Sequence, residues 1–190
     1  MKLNLAGRTG LRLERFIISE IQKKYPGVNI AAQKPEGNKG PRMNGPGISS
    51  VLPDLQIWGV RKGWIEIKAK SEPIFFRNLH RYEHGIEKEK FEHYLDVANL
   101  TKLPVFLLII DSDSGLLLIN EIQNLKSNRM REGHWPDVGK DSVNWPIAVF
   151  LQIGRITFHD DYLEKMSVNW KFDDFEKLLI QAQFDFPLTG

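Results

Sequence analysis

The chain has 190 residues, 42% hydrophobic and 26% charged, with a formal net charge of +2, the composition of a globular protein long enough to bury a sizeable core. It contains no cysteine, which excludes disulfides, thiolate zinc sites and cysteine nucleophiles. Residues 1–70 hold 13 Lys and Arg against 5 Asp and Glu, while residues 71–190 hold 13 against 19, so the N-terminal part either faces a polyanion or is simply an unevenly charged surface.

In chain order, residues 9–25 (TGLRLERFIISEIQKKY) place Leu11, Leu13, Phe16, Ile17 and Ile21 at helical spacing. Thr9 is the expected cap and Pro26-Gly27 the stop. VNIAAQ reads as a short strand. Residues 35–50, rich in Gly, Pro and Asn, read as a long basic loop carrying Lys39 and Arg42, with Lys34 just before it. DLQIWGV and GWIEIKAK read as two strands joined at Arg61-Lys62-Gly63, and SEPIFFRNLHRYEHG as irregular. Residues 86–102 form an amphipathic helix with Phe91, Tyr94, Leu95 and Ala98 on one face.

PVFLLIID is a continuous apolar run, expected as a buried central strand. SDSG is a turn and LLLIN the next strand. Residues 121–145 read as loop with a short helix, and PIAVFLQIG with RITF as a hairpin turning at Gly154. FDDFEKLLIQAQF closes the chain as an amphipathic helix with Asp173 and Asp174 in its first turn. This order predicts an α/β fold around a mixed sheet. The opening MKLNLAGRTGLRLER has no apolar export core, and LPVFLLII and GLLLI are too short to cross a bilayer. A cytoplasmic protein without membrane association is expected.

The chemistry concentrates in LPDLQIWGVRKGWIEIKAK, residues 52–70. Alternation along the second strand puts Trp64, Glu66, Lys68 and Lys70 on one face and Ile65, Ile67 and Ala69 on the other. A turn about Lys62 sets Asp54 opposite residues near 70, and twist or a bulge then brings it towards 66–68. Two carboxylates this close repel unless a cation lies between them. Oxygen ligands without cysteine favour Mg²⁺ or Mn²⁺, and a lysine beside such an ion can act on its water, the apparatus of phosphodiester hydrolysis.

PD followed by EIK across a hairpin resembles the signature of the PD-(D/E)XK nuclease superfamily, in particular the archaeal-type Holliday junction resolvases and some phage nucleases. The resemblance implies a restriction-endonuclease-like core of helix, three strands, helix and strand over residues 9–111, elaborated here by a C-terminal hairpin and helix within one domain. It implies that Asp54, Glu66 and the carbonyl of Ile67 bind metal and that Lys68 is catalytic. GLRLE offers Gly10 and Glu14 at the spacing of a further metal-linked glutamate on the first helix. Members often place a Gln or Lys on the helix after EXK; EKEKFEHYLD has no Gln, leaving Lys88 or Lys90 for that place.

The expectation is therefore a Mg²⁺-dependent DNA endonuclease, structure-selective and homodimeric if resolvase-like. Lys34, Lys39, Arg42, Lys70, Arg77, Lys88 and Lys90 are the expected phosphate contacts. Its rivals are a sequence-specific restriction-type enzyme, a catalytically silent nucleic-acid-binding module, and a metal-free hairpin in which Glu66 and Lys68 form an ordinary ion pair. His80, His84 and His93 are read as DNA-facing or solvated rather than zinc-binding, and DSDSG as a turn rather than a calcium loop. Trp135, Trp145 and Trp170 are read as packing residues rather than base-stacking platforms.

Overall fold

The computed structural model describes residues 3–24, 29–32, 42–58, 62–71, 73–159 and 165–171. Helix α1 (Leu3–Lys24) is followed by strands β1 (Asn29–Ala32), β2 (Arg42–Gly45), β3 (Ile48–Val51), β4 (Leu55–Trp58), β5 (Gly63–Lys70) and β6 (Ile74–Phe76), a 3-10 turn at Arg77–Leu79, and β7 (Arg81–Glu87). Helix α2 (Lys88–Thr101), β8 (Val105–Asp111), β9 (Leu116–Glu121), α3 (Ile122–Ser127), β10 (Arg131–Trp135), β11 (Lys140–Pro146), β12 (Leu151–Phe158) and β13 (Met166–Trp170) complete the order. Among the described residues no helix is long and apolar enough to cross a membrane.

The main sheet runs β1-β4-β5-β8-β9-β12-β13, with β5 and β8 parallel and its other pairs antiparallel. A parallel pair needs a long crossover, and here it contains β6, β7 and α2. Every residue of β8 is buried, as the apolar run requires of a strand covered on both faces. On one face Leu13, Ile17 and Ile21 of α1 pack on Ile65, Ile67 and Ile110; each fully buried aliphatic side chain contributes about 1.5–3 kcal/mol. On the other, Phe91, Tyr94 and Val97 of α2 pack with Trp64, Leu107, Val143 and Trp145. The succession α1, β1, β4, β5, α2, β8 is the restriction-endonuclease-like core expected from the sequence, with two hairpins inserted.

Several local expectations are corrected. The first helix begins at Leu3, so Thr9 lies inside it and is not its cap. Residues 42–51 are a hairpin rather than loop, turning at Gly47 (φ +72°). It docks on α2 through Ser50 Oγ donating to Asp96 (2.8 Å), and at Gly45 a Cβ would lie 2.8 Å from Leu100. SEPIFFRNLHRYEHG holds β6 and β7, and residues 131–146 hold β10 and β11; together they form a second sheet, β10-β11-β7-β6. Its polar strands bury Glu83, His84, Ser142 and Asn144, so apolar alternation could not reveal them. Residues 147–158 are not a hairpin: a 3-10 turn leads into the single strand β12, and Gly154 sits where its register with β9 shifts. The expected closing helix falls outside the described residues. The DSDSG turn is closed by Asp111, whose Oδ1 accepts the Asp113 and Ser114 N–H groups.

Candidate active site

Strand β4 is shorter than its neighbour. Its pairing with β5 is Leu55↔Ile65, Gln56↔Trp64 and Ile57↔Gly63, while β5 continues to Lys70. This register sets Asp54 beside Glu66 directly, correcting the expected alignment near residue 70; no bulge is needed. One step further, Pro53 faces Ile67. Proline has no N–H to give to the Ile67 carbonyl, and the β4-side N–H groups of β5 beyond residue 65 lack a strand partner.

Carboxylates take those places. Asp54 Oδ2 accepts the Ile67 N–H at 2.9 Å, and Glu14 of α1 accepts the Ala69 N–H. Gly10, one turn before Glu14, faces Ala69: a Cβ there would lie 3.7 Å from that of Ala69, an ordinary contact. Glu66, 2% exposed, pairs with Lys68 on the same face of the strand. Its Oε2 accepts the Asp54 N–H at 3.2 Å, and it shares a hydrogen bond with the Tyr94 hydroxyl of α2. Asp54, Glu66, Lys68 and Glu14 thus meet at one sheet edge.

Burial raises all three carboxyls above their ordinary values; Lys68 opposes this in each case, and the carboxyls' mutual repulsion adds to it. Burial works to lower Lys68, but Glu66, Asp54 and Glu14 outweigh it and hold the amine above its usual value. Tyr94 is raised well above the ordinary phenol by burial and by Glu66, so it remains a donor. Three acids face one ammonium ion in a water-poor place, an arrangement short of positive charge. Among the described residues no three His, Asp or Glu side chains are gathered into a ready metal cluster.

The expected phosphate contacts divide. Lys90 and Lys70 lie near the cluster: Lys90 faces Glu14 and Lys70, and Lys70 faces Lys68. Burial, then Lys68, lowers Lys70 to about 8. Lys88 points elsewhere, to Glu132 of the second sheet at 2.8 Å, so of the two α2 lysines only Lys90 borders the site. Arg42 is tied across its hairpin to Ser49, and Arg77 is exposed in the 3-10 turn of the second sheet. Lys34 and Lys39 lie outside the described residues. Of the discounted histidines, His84 is buried against Asp111 (3.3 Å) and His80 is exposed. Helical spacing places Tyr94 only on the apolar stripe of its helix; the signal for its role is the hydroxyl it carries on that stripe.

No protein-family model matches the chain, and no curated protein matches it in sequence. Among solved structures it is similar to Hjc, a Holliday junction resolvase from the archaeal hyperthermophile Archaeoglobus fulgidus, at 15% identity over 76% of this chain and 92% of that one, with a TM-score of 0.48. It is also similar to a nuclease from a fusellovirus, at 14% identity over 75% of this chain and 83% of that one, with a TM-score of 0.40.

Proposed function

We propose that the chain is a divalent-metal-dependent deoxyribonuclease that cuts phosphodiester bonds internally, with branched DNA as its expected substrate. The observation that carries this reading is the meeting of Asp54, Glu66 and Glu14 around Lys68 at the edge that β4 leaves open. One buried and two half-buried acids with one ammonium ion leave a deficit of positive charge that a dication would offset. Asp54, Glu66 and the Ile67 carbonyl would hold Mg²⁺ or Mn²⁺, with Glu14 assisting. This is an all-oxygen set suited to a hard ion that keeps several waters. When bound, such an ion polarises the phosphate and acidifies water.

Hydrolysis adds water across the P–O bond. Lys68, held as an ammonium ion by its carboxylates, donates hydrogen bonds and so positions the attacking water and a phosphate oxygen. Tyr94 and the Asp54 N–H fix the Glu66 carboxylate. Lys70 and Lys90 lie where the flanking phosphates would run, contacts that weaken with salt and carry little sequence information. Two symmetric cuts in a junction need two sites, so a homodimer accompanies the resolvase-like form of this reading.

The test is cleavage of supercoiled plasmid, linear duplex, single strand and a four-way junction, each with Mg²⁺, Mn²⁺ or EDTA. Metal-dependent cutting that falls at least about a hundredfold in Glu66→Ala is expected. Preference for the junction over random duplex separates a resolvase from a restriction-type enzyme. No cutting of any substrate overturns the enzymatic reading and leaves a silent binding module.

A further inference from the structure

The second sheet has two unlike faces. Ile86, Val143 and Trp145 enter the core beneath α2. The opposite face forms, with Lys70 and Ser71 at the end of β5, a cavity of about 510 Å³, within the usual range for a small-molecule site. Its floor contains two glycines. The register sets Gly85 against Asn144 and Gly133 against Ser142. A Cβ at Gly85 would strike Asn144 Oδ1 at 2.2 Å, and one at Gly133 would lie 3.2–3.3 Å from Arg131, Ser142 and Asn144. The floor is therefore flat backbone beside one carboxamide, itself 2% exposed and held by Nδ2 donating to Ser142 Oγ at 3.0 Å.

The walls are aromatic and cationic. Lys70 Nζ stands 4.8 Å from the centre of the Trp135 ring, and the Arg131 guanidinium lies 3.8 Å over Phe76. Buried Glu83 fixes Arg131 at 2.9 Å and thereby sets that wall. Lys70 is also the link to the candidate active site, since it follows Lys68 by two residues on the same face of β5, a rise of about 7 Å.

A flat floor with a carboxamide whose Nδ2 is already given to Ser142 Oγ and the Arg131 carbonyl, leaving its oxygen as an acceptor, between ring faces and cations, matches the chemistry of a nucleobase amine with its phosphate. We propose that this cavity receives one unstacked nucleotide of the DNA strand, next to the phosphate presented to Lys68. The placement beside the scissile position rests on the nuclease reading; the nucleotide site itself does not. Trp135 is then a stacking residue, against its sequence reading as packing.

The experiment measures binding of the full chain in EDTA, by fluorescence anisotropy, to a duplex with one extrahelical nucleotide and to the same duplex with an abasic residue there. Wild type is expected to bind the base-bearing duplex about tenfold more tightly. Trp135→Ala is expected to lose that preference while keeping its affinity for the abasic duplex. Equal affinity of wild type for the two duplexes overturns the proposal, whatever the variant does. Competition by micromolar dAMP, with no preference between duplexes, also overturns it and assigns the cavity to free nucleotides. Because no cleavage is read, a protein that cuts DNA without the base preference loses only the cavity proposal, and one with the preference that never cuts loses only the nuclease reading.

Discussion

Glu66 and Glu83 look alike in sequence and differ in what surrounds them. Each is a buried carboxylate on a strand with a cation two residues away, Lys68 in EIK and Arg81 in RYE. Glu83 meets two guanidinium groups: Arg81 on Oε1 at 2.7 Å and Arg131 on Oε2 at 2.9 Å, so its charge is more than matched. Glu66 meets one ammonium ion that it shares with Asp54 and Glu14. The first arrangement is complete and holds a sheet together; the second lacks positive charge and is suited to take up a cation. The sign of the third and fourth neighbours, not the pair itself, separates a structural ion pair from a candidate catalytic one.

The largest effect is expected at Glu83. Glu83→Gln keeps the shape and leaves Arg81 and Arg131 without their carboxylate, and should cost about 3 kcal/mol in urea unfolding. Its stabilisation by Mg²⁺ should persist. At the other carboxylate cluster, Mg²⁺ at a hundred times its Kd should stabilise wild type by about 2.7 kcal/mol. Asp54→Asn, which can still accept the Ile67 N–H, should lose most of that gain in thermal melts. An equal gain in Asp54→Asn would remove Asp54 from the metal site.

The smallest effect is on pH. In EDTA, folding raises the Asp54, Glu66 and Glu14 carboxyls above their ordinary 3.8 to 4.5. Across the window from those values up to the raised ones these three groups hold more protons in the folded protein than in the unfolded chain, while His84, lowered by burial, works in the opposite direction just below its ordinary 6.5. Stability therefore falls as pH rises through that window, by up to about 1.4 kcal/mol per pH unit for each proton. Mg²⁺ should flatten the fall. A stability that instead rises with pH across this window in EDTA would contradict the described crowding of acids.

Sequence by itself determined the parts that depend on near neighbours. Alternation along residues 64–70 put Glu66 and Lys68 on one face, the apolar run of residues 105–111 made a strand buried on both sides, and helical spacing made α1. Tertiary structure alone decided the rest. Whether Asp54 faced Glu66 or residue 70 depended on where β4 stopped, a matter of register across a turn. Whether Lys88 or Lys90 bordered the site depended on how α2 rotated on the sheet. The second sheet was illegible because its strands bury glutamate, histidine, serine and asparagine, and burial of two of them draws on partners far along the chain, Arg131 for Glu83 and Asp111 for His84. A local pattern records which residues prefer to be buried; it does not record which distant partner makes burial of a polar one tolerable.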